Sequence, residues 1–183
     1  MSTTPIPLEK GNLPVRHPRS YFRGASRTLA EIDRDGNVVW EWTQPGYDYL
    51  HHDQGKLPNG NYLALACRMR DEPTIAPFPI RDDIIYEVTP DGDIVWEWSA
   101  ADHFDQLGSD QKAKNWVSRD AVFPYNREVG DVFHTNSINP LPENKWFDQG
   151  KKNFKPGNIL VSQRNTNIIF IIDKETGDIV WKM

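Results

Sequence analysis

The sequence is short of the features that would place it quickly. It has one cysteine, Cys67, which excludes an internal disulfide and gives no sign of an oxidising compartment. Its net charge of −5 supplies no basic stripe for nucleic-acid phosphates. The longest apolar run, Ile168 to Ile172, is far too short to cross a bilayer. The first thirty residues, broken by Pro5, Pro7, Pro14 and Pro18, hold no apolar core of the kind a secretory signal needs. No heptads, Gly-rich phosphate loop or Cys-x-x-Cys motif occurs. These absences lead to the expectation of a cytoplasmic protein with no nucleic-acid or membrane partner. What the chain does have is tryptophan, seven in 183 residues, and their spacing organises the rest.

Three segments repeat one phrase. Residues 31–40 (EIDRDGNVVW), 87–96 (EVTPDGDIVW) and 172–181 (IDKETGDIVW) each run from a β-rich stretch through an acidic residue and a Gly-containing turn to a second β-rich stretch and a Trp. Gly supplies the positive φ of a tight turn, Asp or Thr beside it bonds the local backbone, and Ile and Val favour the pleated flanks. The phrase therefore predicts a hairpin whose terminal Trp packs between neighbouring sheets, and a hairpin buries such a residue only when further copies stack beside it.

A second phrase lies between copies of the first. His51-His52-Asp53 leads through Leu57-Pro58-Asn59-Gly60-Asn61 to Tyr62–Ala66, and His134–Ile138 leads through Leu141-Pro142 to Gly157–Val161. Joined to the hairpins, these strand–turn–strand units give four short strands, the content of a propeller blade. The expected fold is all-β: a partial β-propeller over 28–183, after a Pro-rich arm over 1–27. Long loops at 99–133 and 143–156 interrupt it, the first with a short helix near 110–116 and the second an extended turn. Loops of this length commonly form lids or binding edges.

The chain resembles the bacterial arylsulfotransferases, especially their smaller soluble branch. The likeness rests on the Trp-Glu-Trp hairpin ends (Trp40 to Trp42, Trp96 to Trp98), His51-His52-Asp53 with Leu-Pro-Asn-Gly-Asn, Asp102-His103-Phe104, His134-Thr135-Asn136-Ser137-Ile138, and the run from Leu160 to Thr166 containing Ser162-Gln163-Arg164. It covers about residue 28 to the end. The resemblance implies a six-bladed propeller, of which about three blades are present. It also implies sulfuryl transfer from a phenolic sulfate donor to a phenol acceptor through a sulfated histidine, without a cofactor or nucleotide sulfate. The phrase expected to hold that histidine has no counterpart before Met183, so the chain is expected to stop short of it, leaving a missing C-terminal half or self-association to complete a ring. A docking phrase of quinoprotein propellers resembles residues 173–181 less specifically.

Sulfuryl transfer needs fixed cations around the equatorial oxygens and a group to take the phenolic proton. By resemblance His134 and Asn136 bind the sulfuryl oxygens, His134 also being placed to handle the proton. Arg164 adds a permanent fork-shaped cation, and His52, at the matching place in another blade, faces them. His51 is the second candidate of its pair, and His103 either lines the entrance or caps the preceding strand. His51-His52-Asp53 lacks a fixed metal-ligand spacing, so no metal is expected. His17 and Cys67 are read as chemically idle. The competing reading is a sulfate- or aryl sulfate-binding or assembly module that does not turn over.

Overall fold

The computed structural model describes residues 13–16, 26–108 and 129–183, the first of these as backbone only. The expected helix near 110–116 lies outside the described residues. Three antiparallel sheets make up the architecture. The first contains β1 (Leu13–Arg16), β2 (Thr28–Ile32) and β3 (Val38–Thr43) in that order. The second orders β4 (Tyr49–Lys56), β5 (Tyr62–Arg70), β6 (Ile80–Val88) and β7 (Ile94–Ser99), and the third orders β8 (Thr135–Pro140), β9 (Ile159–Gln163), β10 (Ile168–Ile172) and β11 (Ile179–Lys182). Chain order equals sheet order throughout, so every strand pairs with its neighbour in sequence. The all-β expectation holds.

Two details depart from the sequence reading. Within the Pro-rich arm, Leu13–Arg16 is a strand paired antiparallel with β2, Leu13 opposite Ile32. Residues 143–156 are not an extended turn throughout: they carry α1 (Lys145–Asp148) and a 3-10 turn at Lys152–Phe154. Asn144 starts α1 because its side chain accepts the N–H of Phe147 at 3.1 Å.

Each acidic-Gly phrase is a hairpin: β2–β3, β6–β7 and β10–β11. In the first, Asp33 Oδ1 accepts the N–H groups of Asp35 and Asn37. Hydrogen bonds to Asn37, from side chain and backbone, hold that exposed carboxyl below its ordinary range. Asp173 does the same work for Glu175, while in the middle copy Thr89 Oγ1 accepts from Asp93. Two kinds of side chain, Asp twice and Thr once, thus solve the same problem at the start of the turn.

The chain divides into two compact units, one of residues 1–68 and 84–97, the other of 69–83 and 98–183. The core of the first gathers Leu29, Trp42, Leu50, Tyr62, Ala64, Ala66, Ile84, Tyr86 and Val88. Beside it, Trp40 stacks on Tyr62 with ring centroids 3.8 Å apart. Buried carboxylates in this unit are paired: Glu31 with Lys56 (2.7 Å) and the Tyr62 hydroxyl, Asp48 with Arg68 (3.0 Å) and the Tyr86 hydroxyl. In the second unit, Ile80, Phe104, Leu107, Val132, Phe133, Ile138, Val161 and Phe170 to Ile172 are buried. Phe104 and Phe133 meet edge to face.

The tryptophans sort by register. Trp42 and Trp98, the second Trp of each Trp-Glu-Trp, are 6% and 3% exposed, whereas Trp40, Trp96 and Trp181 remain half-exposed. The residue that fills between sheets is therefore the second of the pair, not the first that ends the repeated phrase. Inside the first unit, Trp42 Nε1–H donates to the carbonyl of Gly92 at 3.0 Å. Inside the second, Trp98 Nε1–H donates to that of Gly177 at 2.8 Å. Both glycines sit at positive φ (93° and 82°), and in each case an indole edge is the nearest or next-nearest atom to where a Cβ would stand. The turn needs left-handed backbone, and the neighbouring sheet's indole needs its carbonyl.

This contact carries a stability consequence. Trp98→Phe keeps most of the ring but leaves the Gly177 carbonyl without its donor, at an expected cost of about 1–3 kcal/mol. Exposed Trp146→Phe is expected to change stability by less than about 0.5 kcal/mol. Urea unfolding of the two variants checks the contrast.

Candidate functional site

The start of β8 is held from several sides by the second unit. Gly130 forms a parallel bridge to Ile80, its N–H donating to Pro79 O and its carbonyl accepting Arg81 N–H, both at 2.8 Å. The buried carboxylate of Asp83 on β6 accepts the N–H of Thr135 at 2.6 Å. From the turn after β9, Arg164 N–H donates to His134 O and Asn165 N–H to Phe133 O, each at 3.1 Å. The Asn165 side-chain amide donates to Asp131 O at 2.6 Å. The backbone on both sides of His134 is thus fixed by hydrogen bonds to β6 and to the β9–β10 turn.

His134 itself has φ of 51°, the left-handed region that costs an L-residue energy. Its Nδ1 lies 2.5 Å from Oδ2 of the buried Asp131, and its Nε2 lies 3.4 Å from Nη1 of Arg164, whose side chain reaches solvent. Asn136 follows at an irregularity where β8 advances two residues against one on β9. Such a bulge re-aims a strand's side chains, and here it falls on the half-buried Asn136. His134, Arg164 and Asp131 are brought together, with Asn136 two residues on.

His52 lies in the first unit, where it shares these local features. Its φ is 49°, and the β4–β5 register slips between Leu50 and Gln54, four residues against two, across His51, His52 and Asp53. The His51 and His52 rings contact edge to face at 5.2 Å, and both are half-buried. Two histidines at corresponding places in the repeated phrase therefore carry the same uncommon backbone conformation next to a strand irregularity.

His103 is built differently. It stacks on Trp98 at 4.7 Å, and its Nδ1 donates to Ser99 O at 2.8 Å. A Cβ on Gly177 would stand 3.7 Å from its Nε2, so the ring covers the Trp98–Gly177 contact. The turn beneath it is capped by the buried Asp82, which accepts from Ser99 Oγ and Ala101 N–H. Burial pushes the Asp82 carboxyl up to about 6, against the pull of those two hydrogen bonds and of Arg70. Among the described residues, no group of three or more His, Cys, Asp or Glu side chains is placed to hold a metal ion. No helix among them is long and apolar enough to cross a membrane.

A family model described as arylsulfotransferase (ASST) matches residues 12–183. The chain belongs to the arylsulfotransferase family. A comparison with curated proteins gives no match. A crystal structure of a protein of unknown function from Bacteroides caccae is similar, with 18% identity and a TM-score of 0.40 over 88% of this chain and 42% of that one. The chain thus spans less than half the length of that protein. Within this arylsulfotransferase-family chain, Asp131, Asn165 and Asp83 are the site residues the sequence did not single out. Nothing in their spacing distinguishes them from other acidic and amide residues, and only the short interval from Asp131 to His134 hinted at a pair.

The left-handed histidines lead to a measurable expectation. With the ring removed, His52→Gly and His134→Gly should each be more stable than the matching Ala variant, by about 1–2 kcal/mol, because Gly adopts positive φ without a Cβ clash. Thermal unfolding of the four proteins compares them at each position.

Proposed function

We propose that this chain carries the sulfuryl-binding part of an aryl sulfate:phenol sulfotransferase, with its sheets serving as blades of a partial β-propeller. Family membership supports the reaction class, transfer of a sulfuryl group from a phenolic sulfate to a phenol. The observation that carries the site is His134 Nε2 and the Arg164 guanidinium side by side at 3.4 Å, the ring backed by a buried carboxylate. A fixed planar cation beside an imidazole suits a tetrahedral anion whose oxygens accept several hydrogen bonds. In this reading Arg164 and Asn136 hold the sulfuryl oxygens. His134 contributes a ring nitrogen to the anion or to the phenolic proton. His52 is the second candidate for the same chemistry, a role supported by the left-handed conformation it shares with His134. His51 stands behind His52 in this scheme, and His103 serves the Trp98 contact rather than the anion.

Calorimetric titration with inorganic sulfate and with 4-nitrophenyl sulfate tests the site. His134→Ala and Arg164→Ala are expected to weaken binding about 10-fold or more, the loss of one charge-assisted hydrogen bond, while the exposed Glu143→Gln leaves it unchanged. Equal affinity in all three would remove the pocket. Release of 4-nitrophenol in the presence of a phenol acceptor separates transfer from binding alone, the alternative in which the chain is an aryl sulfate-binding module.

A further inference from the structure

We infer that Asp131 is a positioning residue of this site: its carboxylate holds the Nδ1–H of His134 and so keeps Nε2 as the ring nitrogen turned to Arg164 and to the anion. The inference rests on the reading above that His134 and Arg164 form one anion site.

The argument begins with which groups can donate. A neutral imidazole has one N–H and one bare nitrogen, an ionised carboxylate only accepts, and a guanidinium only donates. With Asp131 Oδ2 at 2.5 Å from Nδ1 and Arg164 Nη1 at 3.4 Å from Nε2, the hydrogen of the neutral ring belongs on Nδ1. The other tautomer would set a bare nitrogen against a carboxylate and an N–H against a cation. A protonated ring keeps Nδ1–H on Asp131 and sets Nε2–H and its charge beside Arg164, an arrangement that an anion between the two relieves. Asp131 therefore serves both protonation states: the charged ring donates Nε2–H to a sulfuryl oxygen, and the neutral ring offers bare Nε2 to a phenolic hydroxyl. If that nitrogen takes a phenolic proton, the proton leaves the phenol oxygen and the resulting imidazolium retains its carboxylate partner.

The placement of Asp131 argues that this contact is built. A buried carboxylate close to an anion site repels the ligand, a cost that a residue with a purely local role in the loop would not need to impose. Its side chain is 5% exposed, so the charge is drawn out of water and needs a partner, which the imidazole supplies. The backbone that presents it is tied down on both sides. Gly130 bridges to β6, and Asn165 donates to the Asp131 carbonyl. His134 is held in left-handed backbone, and its ring meets the carboxylate three positions earlier. A histidine whose second nitrogen is fixed by a carboxylate behind it is the usual way to select a tautomer at a reactive or ligand-binding ring.

The test reads the ring directly. The full chain labelled with 15N-histidine is examined by long-range 1H–15N correlation at about pH 8, where ordinary imidazoles are neutral. His134 is expected in the Nδ1–H form in the unaltered protein, a measurement that needs no variant. In Asp131→Ala it is expected to move toward the Nε2–H form. In the double variant Asp131→Ala, His134→Ala, affinity should be no weaker than in His134→Ala alone, because Asp131 acts through the ring. An Nε2–H ring in the unaltered protein overturns the inference. So does an unchanged tautomer in Asp131→Ala, or in Asp131→Asn should the alanine variant fail to fold. If His134→Ala leaves sulfate affinity intact, the anion site itself is lost, while the ring spectrum still decides whether Asp131 sets the tautomer.

Discussion

Everything in this architecture depends on a short hairpin being closed by its neighbour. A two-stranded turn of the Asp-Gly kind has little to bury by itself. Here the turn glycine of one sheet offers its carbonyl to a buried indole of the preceding sheet, Trp42 to Gly92 in one unit and Trp98 to Gly177 in the other. The contact combines a large apolar surface with a directional hydrogen bond, so it fixes both spacing and register. An alanine at either turn would meet left-handed backbone and an indole together. Local turn chemistry and packing between sheets are therefore one constraint expressed twice in the chain.

The candidate site uses that rigidity. His134 is not presented by a free loop: Asp83, Gly130 and Asn165 bind the backbone around it before its ring makes any contact. Strained φ values persist where surrounding structure over-determines them, which is the situation at His134. A ring held this way, with a carboxylate behind and a guanidinium beside it, is preorganised for charge that arrives with a ligand. Hydrogen bonds from β6 and from the β9–β10 turn converge on this strand start, consistent with that strand end being where chemistry is arranged.

Much of this was legible in the sequence because repetition amplifies weak signals. One Gly turn near an acidic residue means little, but three of them, two Asp-Gly and one Thr-Gly, ahead of β-branched strands ending in Trp define hairpins, and those hairpins are where they were expected. The adjacency of His134 and Arg164 was legible through the repeated strand–turn–strand phrase and the family likeness, since a shared register brings residues 30 apart to adjacent strand ends. Other features were not. Trp40 and Trp42 share a strand face, both donating to the neighbouring turn, so which of them is buried depends on what that neighbour packs along the face, which composition does not encode. The strand Leu13–Arg16 sits in a segment whose prolines argue against a ladder, yet an edge strand tolerates Pro14. Asp131 and Asp83 were hidden because a carboxylate's role is fixed by what lies across the fold from it. His103 carried a motif resemblance but packs as part of the tryptophan contact.

The most direct measurement is a crystal structure of the chain grown with 4-nitrophenyl sulfate. The account predicts sulfate oxygens within hydrogen-bonding distance of both His134 Nε2 and the Arg164 guanidinium. A sulfate bound elsewhere, touching neither His134 nor Arg164, would contradict it.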